Sequence, residues 1–128
     1  MAAFLETPIG QWVGIILSVL TGGVGQTMMK LGTQRVGEFG EIPALQYIFR
    51  LLTHPFILVA IMAYGLGVIL YMLILSRTDL SYLYPVMTAL GLVLATLISS
   101  FILGEEISVL RLSGIGIVIL GVFMISQT

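Results

Sequence analysis

Lys30 closes a stretch, GGVGQTMMK over 22–30, that is otherwise uncharged and rich in glycine, and Gln26 stands four residues before it. Helical positions three or four apart share a face, so an amide and an ammonium would lie side by side. An ionised side chain inside a membrane costs at least about 2.5 kcal/mol and usually faces a cavity or a partner. The pair is therefore a candidate binding site. The competing reading is that Lys30, taken as the end of its span, snorkels to the headgroups. Further along, Tyr64 and Tyr71 recur at helical spacing around Gly67, and Tyr84 and Thr88 lead a stripe of small residues, Gly91, Ala95 and Ser99. These hydroxyls can bind a polar group, but no base stands beside them to make one a nucleophile.

The acids are elsewhere. None lies between Trp12 and Met29, or in the apolar segments around Tyr64 and Tyr84, and Glu105 and Glu106 fall together in a connection. An embedded proton relay thus has no obvious carrier. With one histidine, His54, and no cysteine, neither a metal-ligand set nor a catalytic pair is expected. No cofactor and no catalytic residue are predicted, and an enzyme is the least favoured class.

The elements that must hold these groups follow from composition. The 128-residue chain is 59% hydrophobic and 9% charged, with five basic and six acidic residues, and its mean hydropathy is +1.16. Soluble domains carry about 25% charge. Eleven charges cannot cover so apolar a chain, which makes lipid the expected solvent. The net charge of −1 gives no field for nucleic acid, so no nucleic-acid partner is expected. The amino-terminal MAAFLETPIGQW has no basic region before its first apolar run, so that run is read as a retained span.

About 20 apolar residues cross about 30 Å of hydrocarbon. Four segments qualify, near 12–30, 55–76, 81–103 and 109–126, in a single domain over 1–128. Pro55 suits a first helical turn, and Asp79 or Ser81 and Ser108 suit N-caps. Glycines and charges at 32–41 read as a loop. From Pro43, Leu45, Ile48, Phe49 and Leu52 recur opposite Gln46, Arg50 and Thr53, predicting a short interfacial helix near 43–53 or an equivalent amphipathic connector. The expected class is an all-α membrane protein of four transmembrane helices with this short interfacial helix between the first and second. Lys30, Arg35, Arg50 and Arg111 against Arg77 place the first and third connections in the cytoplasm.

Within the first span Ser18, Thr21, Gly22, Gly25, Gln26 and Lys30 share half the surface, leaving Val19, Leu20, Val24 and Leu31 on the other. Close helix packing is an alternative account of the small residues, above all Gly67, Gly91, Ala95 and Ser99. Pro85 frees the carbonyl of Ser81 and makes an irregular helix start, in a polar site or in a kinked aromatic belt. Glu105 and Glu106 read as a solvated turn, a helix cap, or a partner for Lys30 or Arg111. Gly114, Val118 and Gly121 form one face of the last span, suited to another helix.

In their order, GQTMMK, the long second span, SRTDLSYLYPVMTALGL, a Gly-Glu turn and a glycine-rich last span, these residues resemble half of a drug/metabolite transporter, a four-span EamA-like protein. The small multidrug resistance exporters carry a glutamate where Gly22 stands and a tryptophan where Met87 stands, the residues on which proton-coupled cation export rests. The chain is more similar to the small flippase subunits that move aminoarabinose-phosphoundecaprenol across the bacterial inner membrane, which share Gly25, Gln26, Lys30, Tyr84, Pro85 and a glutamate near 105 or 106.

That resemblance implies a multi-pass inner-membrane transporter whose partners are membrane lipid and a lipid-linked sugar or similar amphiphile. Lys30 would meet the phosphate, and Gln26, Tyr64, Tyr71, Tyr84 and Thr88 the headgroup. Gly22, Gly25, Pro85, Glu105 and Glu106 would shape or gate the path. Four helices enclose too little, so a homodimer or a heterodimer with a paralogue is expected, with its seam at Gly114, Val118 and Gly121. Export of hydrophobic cations is the alternative within transport, and a non-transporting subunit that stabilises a partner enzyme is the alternative outside it.

Overall fold

The computed structural model describes residues 2–127; Met1 and Thr128, the outermost positions of the expected 1–128 domain, lie outside the described residues. Among the described residues six helices follow one another: α1 Ala2–Leu5, α2 Pro8–Val36, α3 Ala44–Thr53, α4 Pro55–Leu75, α5 Leu80–Phe101 and α6 Val109–Ser126. The fold is that of an all-α membrane protein. Four of the helices, α2, α4, α5 and α6, are long and apolar enough to cross a membrane.

The helix that carries the first span, Pro8–Val36, extends beyond the expected 12–30 at both ends. Thr7 Oγ1 accepts a hydrogen bond from the Gly10 amide at 3.0 Å, and Pro8 opens the helix. The start is therefore four residues before the expected position 12. The end is at Val36 and not at 30, because Gly32 does not break the helix. It is instead packed against α4, since a Cβ there would meet Ile57 Cδ1 at 2.6 Å. Tertiary packing overrides the local weakness of glycine, and the chain turns only at Gly37, whose φ of +108° a side chain would resist. Lys30 consequently lies within α2, about 9 Å before its end at 1.5 Å per residue.

At the other starts, His54 Nδ1 accepts from the Phe56 amide and Ser108 Oγ from the Arg111 amide. Asp79 holds the N-cap position of α5, but its side chain makes no capping bond. The helix runs on through Pro85 to Phe101. Between α2 and α4, α3 leaves Leu45, Ile48, Phe49 and Leu52 exposed and buries Tyr47, whose hydroxyl donates to the Gly37 carbonyl at 2.9 Å. That bond ties the amphipathic helix to the end of α2.

Packing is centred on α2. Gly14, Ser18, Gly25 and Gly32 lie against α4, whose buried Ile57, Ala60, Gly67 and Ile74 recur every three, seven and seven residues. The helices come close enough at Gly25 that a Cβ would stand 3.1 Å from the Ala60 carbonyl oxygen and 3.2 Å from Tyr64. Ser18 Oγ donates across the seam to the Gly67 carbonyl at 2.9 Å. α5 rests on another side of α2, and α6 packs on α5 with no buried residue of its own. Although only the turn 76–79 separates them, α4 and α5 hardly touch. They converge with α2 where Ile15, Ile74 and Leu83, at 2%, 1% and 0% exposure, form the core, and they leave a groove beyond it.

Candidate functional site

The groove has α2 as its floor and α4 and α5 as its walls. Its larger part is a cavity of about 680 Å³ lined by Ser18, Gly22 and Gln26 from α2, Tyr64, Gly67 and Tyr71 from α4, and Tyr84, Met87, Thr88 and Gly91 from α5. Gly23, Gln26 and Ala95 also line a second cavity of about 190 Å³, which continues to Thr27, Lys30, Ser99 and Glu105. The two cavities adjoin at Gly23, Gln26 and Ala95 and differ in character.

The larger cavity is mostly apolar, dotted with hydroxyls and one amide, and carries no charge. Among the described residues no Asp, Glu, Lys or Arg lines it. Thr88 donates its hydroxyl to the Tyr84 carbonyl at 2.8 Å, as threonines in helices commonly do. Among the described residues, the hydroxyls of Tyr64, Tyr71 and Tyr84 and the amide of Gln26 have no hydrogen-bond partner. Each of these can donate and accept, and Gln26, at the junction, is available to both cavities. The smaller cavity ends in charge. Lys30 Nζ lies 3.9 Å from Glu105 Oε1, with side chains 49% and 41% exposed. Lys30 thus stands beside the turn that follows α5.

Of the residues singled out in the sequence, Gly22, Gln26, Tyr64, Tyr71, Tyr84 and Thr88 are brought together in the larger cavity, and Gln26, Lys30 and Glu105 in the smaller. Gly25 is not on the path but in the α2–α4 seam, because the shared face of α2 is divided between two neighbours. Pro85 and Glu106 line neither cavity, and Gly114, Val118 and Gly121 lie on α6, away from both.

The small residues also divide. Gly67 is packed, as close helix contact would have it, but a Cβ at Gly91 would meet nothing within 4 Å, and Ala95 borders both cavities. Val19, assigned to the opposite half of α2, lines the larger cavity and packs on the core. Thr27, absent from the sequence-based set although it stands three residues before Lys30, also lines the smaller cavity. Among the described residues no group of three or more His, Cys, Asp or Glu is placed to hold a metal.

No family model and no solved structure matches the chain. Curated relatives do. A protein of Pseudomonas aeruginosa (strain UCBPP-PA14), named as the probable 4-amino-4-deoxy-L-arabinose-phosphoundecaprenol flippase subunit ArnE, is 29% identical over 114 residues, covering 89% of this chain and 95% of the relative. Its namesake from Pseudomonas savastanoi pv. phaseolicola is 28% identical over 118 residues, 91% and 96% of the two chains. The membrane protein YvaE of Bacillus subtilis (strain 168) is 31% identical over 111 residues, 87% of this chain and 80% of its own. Relatives this similar along nearly the whole length, joined to four helices able to cross a bilayer, make the chain a multi-pass protein of the bacterial inner membrane that belongs to the ArnE-like family of small transporters.

Proposed function

We propose that this chain translocates the headgroup of a lipid-linked sugar phosphate, of the undecaprenyl class for which its Pseudomonas relatives are named. The observation that carries this is the row of unpartnered hydroxyls and amide leading to Lys30. Lys30 meets the phosphate, while Gln26, Tyr64, Tyr71 and Tyr84 exchange their water for the sugar. The separation of α4 from α5 supports a side opening through which the tail stays in lipid while the head crosses. Nothing in this scheme asks for a bond to be made or broken: it is transport, in keeping with relatives named as flippase subunits.

The direct test uses proteoliposomes carrying a fluorescent short-chain polyprenyl-phosphate sugar, with an outer-leaflet quencher reading the labelled lipid that crosses. Lys30→Ala is expected to abolish crossing while the protein stays folded and inserted. Normal crossing by a well-folded Lys30→Ala protein would defeat the reading.

A single chain leaves α6 without a buried residue, and a Cβ on Gly114 or Gly121 would meet nothing within 4 Å. We assign that face to a second copy or a paralogue, where small residues allow close approach. Because the chain has no cysteine, Val118→Cys provides a single thiol for this purpose. Oxidation in membranes is expected to yield a disulfide-linked dimer, and failure to cross-link, with a thiol on the outer face of α4 as comparison, would remove α6 from the seam. The basic residues put the connections 37–43 and 102–108 in the cytoplasm, which labelling of cysteines placed there from either side of the membrane checks.

A further inference from the structure

The path ends in an ion pair whose acidic partner is held by more than its own side chain. α5 stops at Phe101, and its carbonyls are taken up by the residues that follow: Leu103 donates to Ile98 at 3.1 Å and Glu105 to Ser99 at 2.8 Å, with Gly104 between them at φ +68°. This helix-ending turn fixes the backbone of Glu105 beside the smaller cavity. Its carboxylate faces Lys30 Nζ at 3.9 Å across a sequence separation of 75 residues. The distance exceeds that of a hydrogen bond, so the attraction is between charges alone. An ammonium is a compact charge with rotatable donors, and it can donate to a phosphate oxygen in place of facing a carboxylate oxygen.

We propose that Glu105 is a tethered stand-in for the phosphate of the cargo, occupying Lys30 when the path is empty and yielding it when a lipid-borne phosphate arrives. The inference rests on Lys30 as the phosphate ligand. Glu105 then sets the affinity of the site: it competes with the cargo on entry and reclaims Lys30 on exit, so the phosphate is not trapped. Half-exposed pairs of this kind shift an equilibrium by about fivefold at most, which a loosely held cargo can overcome.

The test is calorimetric binding of dodecyl phosphate to the whole protein in a neutral detergent. Glu105→Gln is expected to tighten binding by about threefold to fivefold, and Lys30→Gln to weaken it by at least as much. The double variant should bind no more tightly than Lys30→Gln alone. Circular dichroism and elution as a single species establish that each variant is folded. Unchanged or weaker binding by Glu105→Gln overturns the proposal, as does an equal gain in the presence and absence of Lys30. An equal gain from Glu106→Gln, whose parent side chain lines neither cavity, would reduce the effect to net charge and overturn it as well.

Undiminished binding by Lys30→Gln sinks the functional reading itself, whereas loss in Lys30→Gln without gain in Glu105→Gln sinks only the role of Glu105. Inorganic phosphate, titrated in parallel, separates the sources of the anion. A Glu105→Gln gain confined to dodecyl phosphate supports a lipid-borne cargo, and a gain on inorganic phosphate alone overturns it.

Discussion

Gly22 and Gly25 stand three residues apart on α2, and both belong to the same glycine-rich stretch, yet they do opposite things. A side chain on Gly25 would press on the Ala60 carbonyl and on Tyr64 of α4, while one on Gly22 would meet nothing within 4 Å and point into the larger cavity. The first belongs to a seam that continues through Ser18 and Gly32. The second belongs to a path that continues through Gln26 to Lys30. In lipid the apolar effect barely distinguishes helix from solvent, so association depends on close contact and hydrogen bonds. Emptiness at one glycine and tightness at the next are what separate a surface for cargo from a surface for packing.

Matched substitutions can break this contrast. The largest effect is expected from Gly25→Leu. Overpacking typically costs about 1–3 kcal/mol, and the obstacle here is backbone, so the loss should lie at the upper end of that range or beyond. Thermal unfolding in detergent would reveal it, and an unchanged midpoint would mean that the seam is not as tight as it looks.

Gly22→Leu, the same change three residues away, is expected to keep stability within about 1 kcal/mol of the parent, the scale of glycine's helix penalty. It should instead slow lipid crossing by filling the groove. A collapse in stability with Gly22→Leu would erase the distinction. The smallest effect is expected at the border between the two surfaces, where Ser18 lines the cavity and donates to the Gly67 carbonyl. Ser18→Ala should cost about 0.6 kcal/mol, the average for such bonds between membrane helices. A loss of several kcal/mol in the same unfolding measurement would give that bond a larger structural role.

Much of the groove's lining is legible in the sequence, because polar residues in an apolar helix need a reason. Gln26, Lys30, Tyr64, Tyr71, Tyr84 and Thr88 stood out against their neighbours, and the groove gathers all of them. Gly25, on the polar face of α2, lies in the α2–α4 seam, while Gly91, for which close packing was one account, borders open space. Spacing tells which residues share a face, but a face wide enough for two neighbours carries no mark of where one ends and the other begins. The ends of α2 are hidden for a related reason: Thr7 and Pro8 are a start signal lying ahead of the main apolar run, and Gly32 reads as loop although Ile57 packs against it.

The sequence by itself determined that the chain is helical and bound for lipid, how many helices can span it, and which few polar groups they must accommodate. These follow from length, hydropathy and the cost of polar groups in hydrocarbon, all of which are local. Only the tertiary structure decided that α4 and α5 part to leave a groove, that its wider portion is uncharged, and that Lys30 meets Glu105 at its end. Those are relations between helices, set by how closely glycines let α2 approach α4 and by how the turn after α5 aims a carboxylate. Neither appears in the period of a single helix.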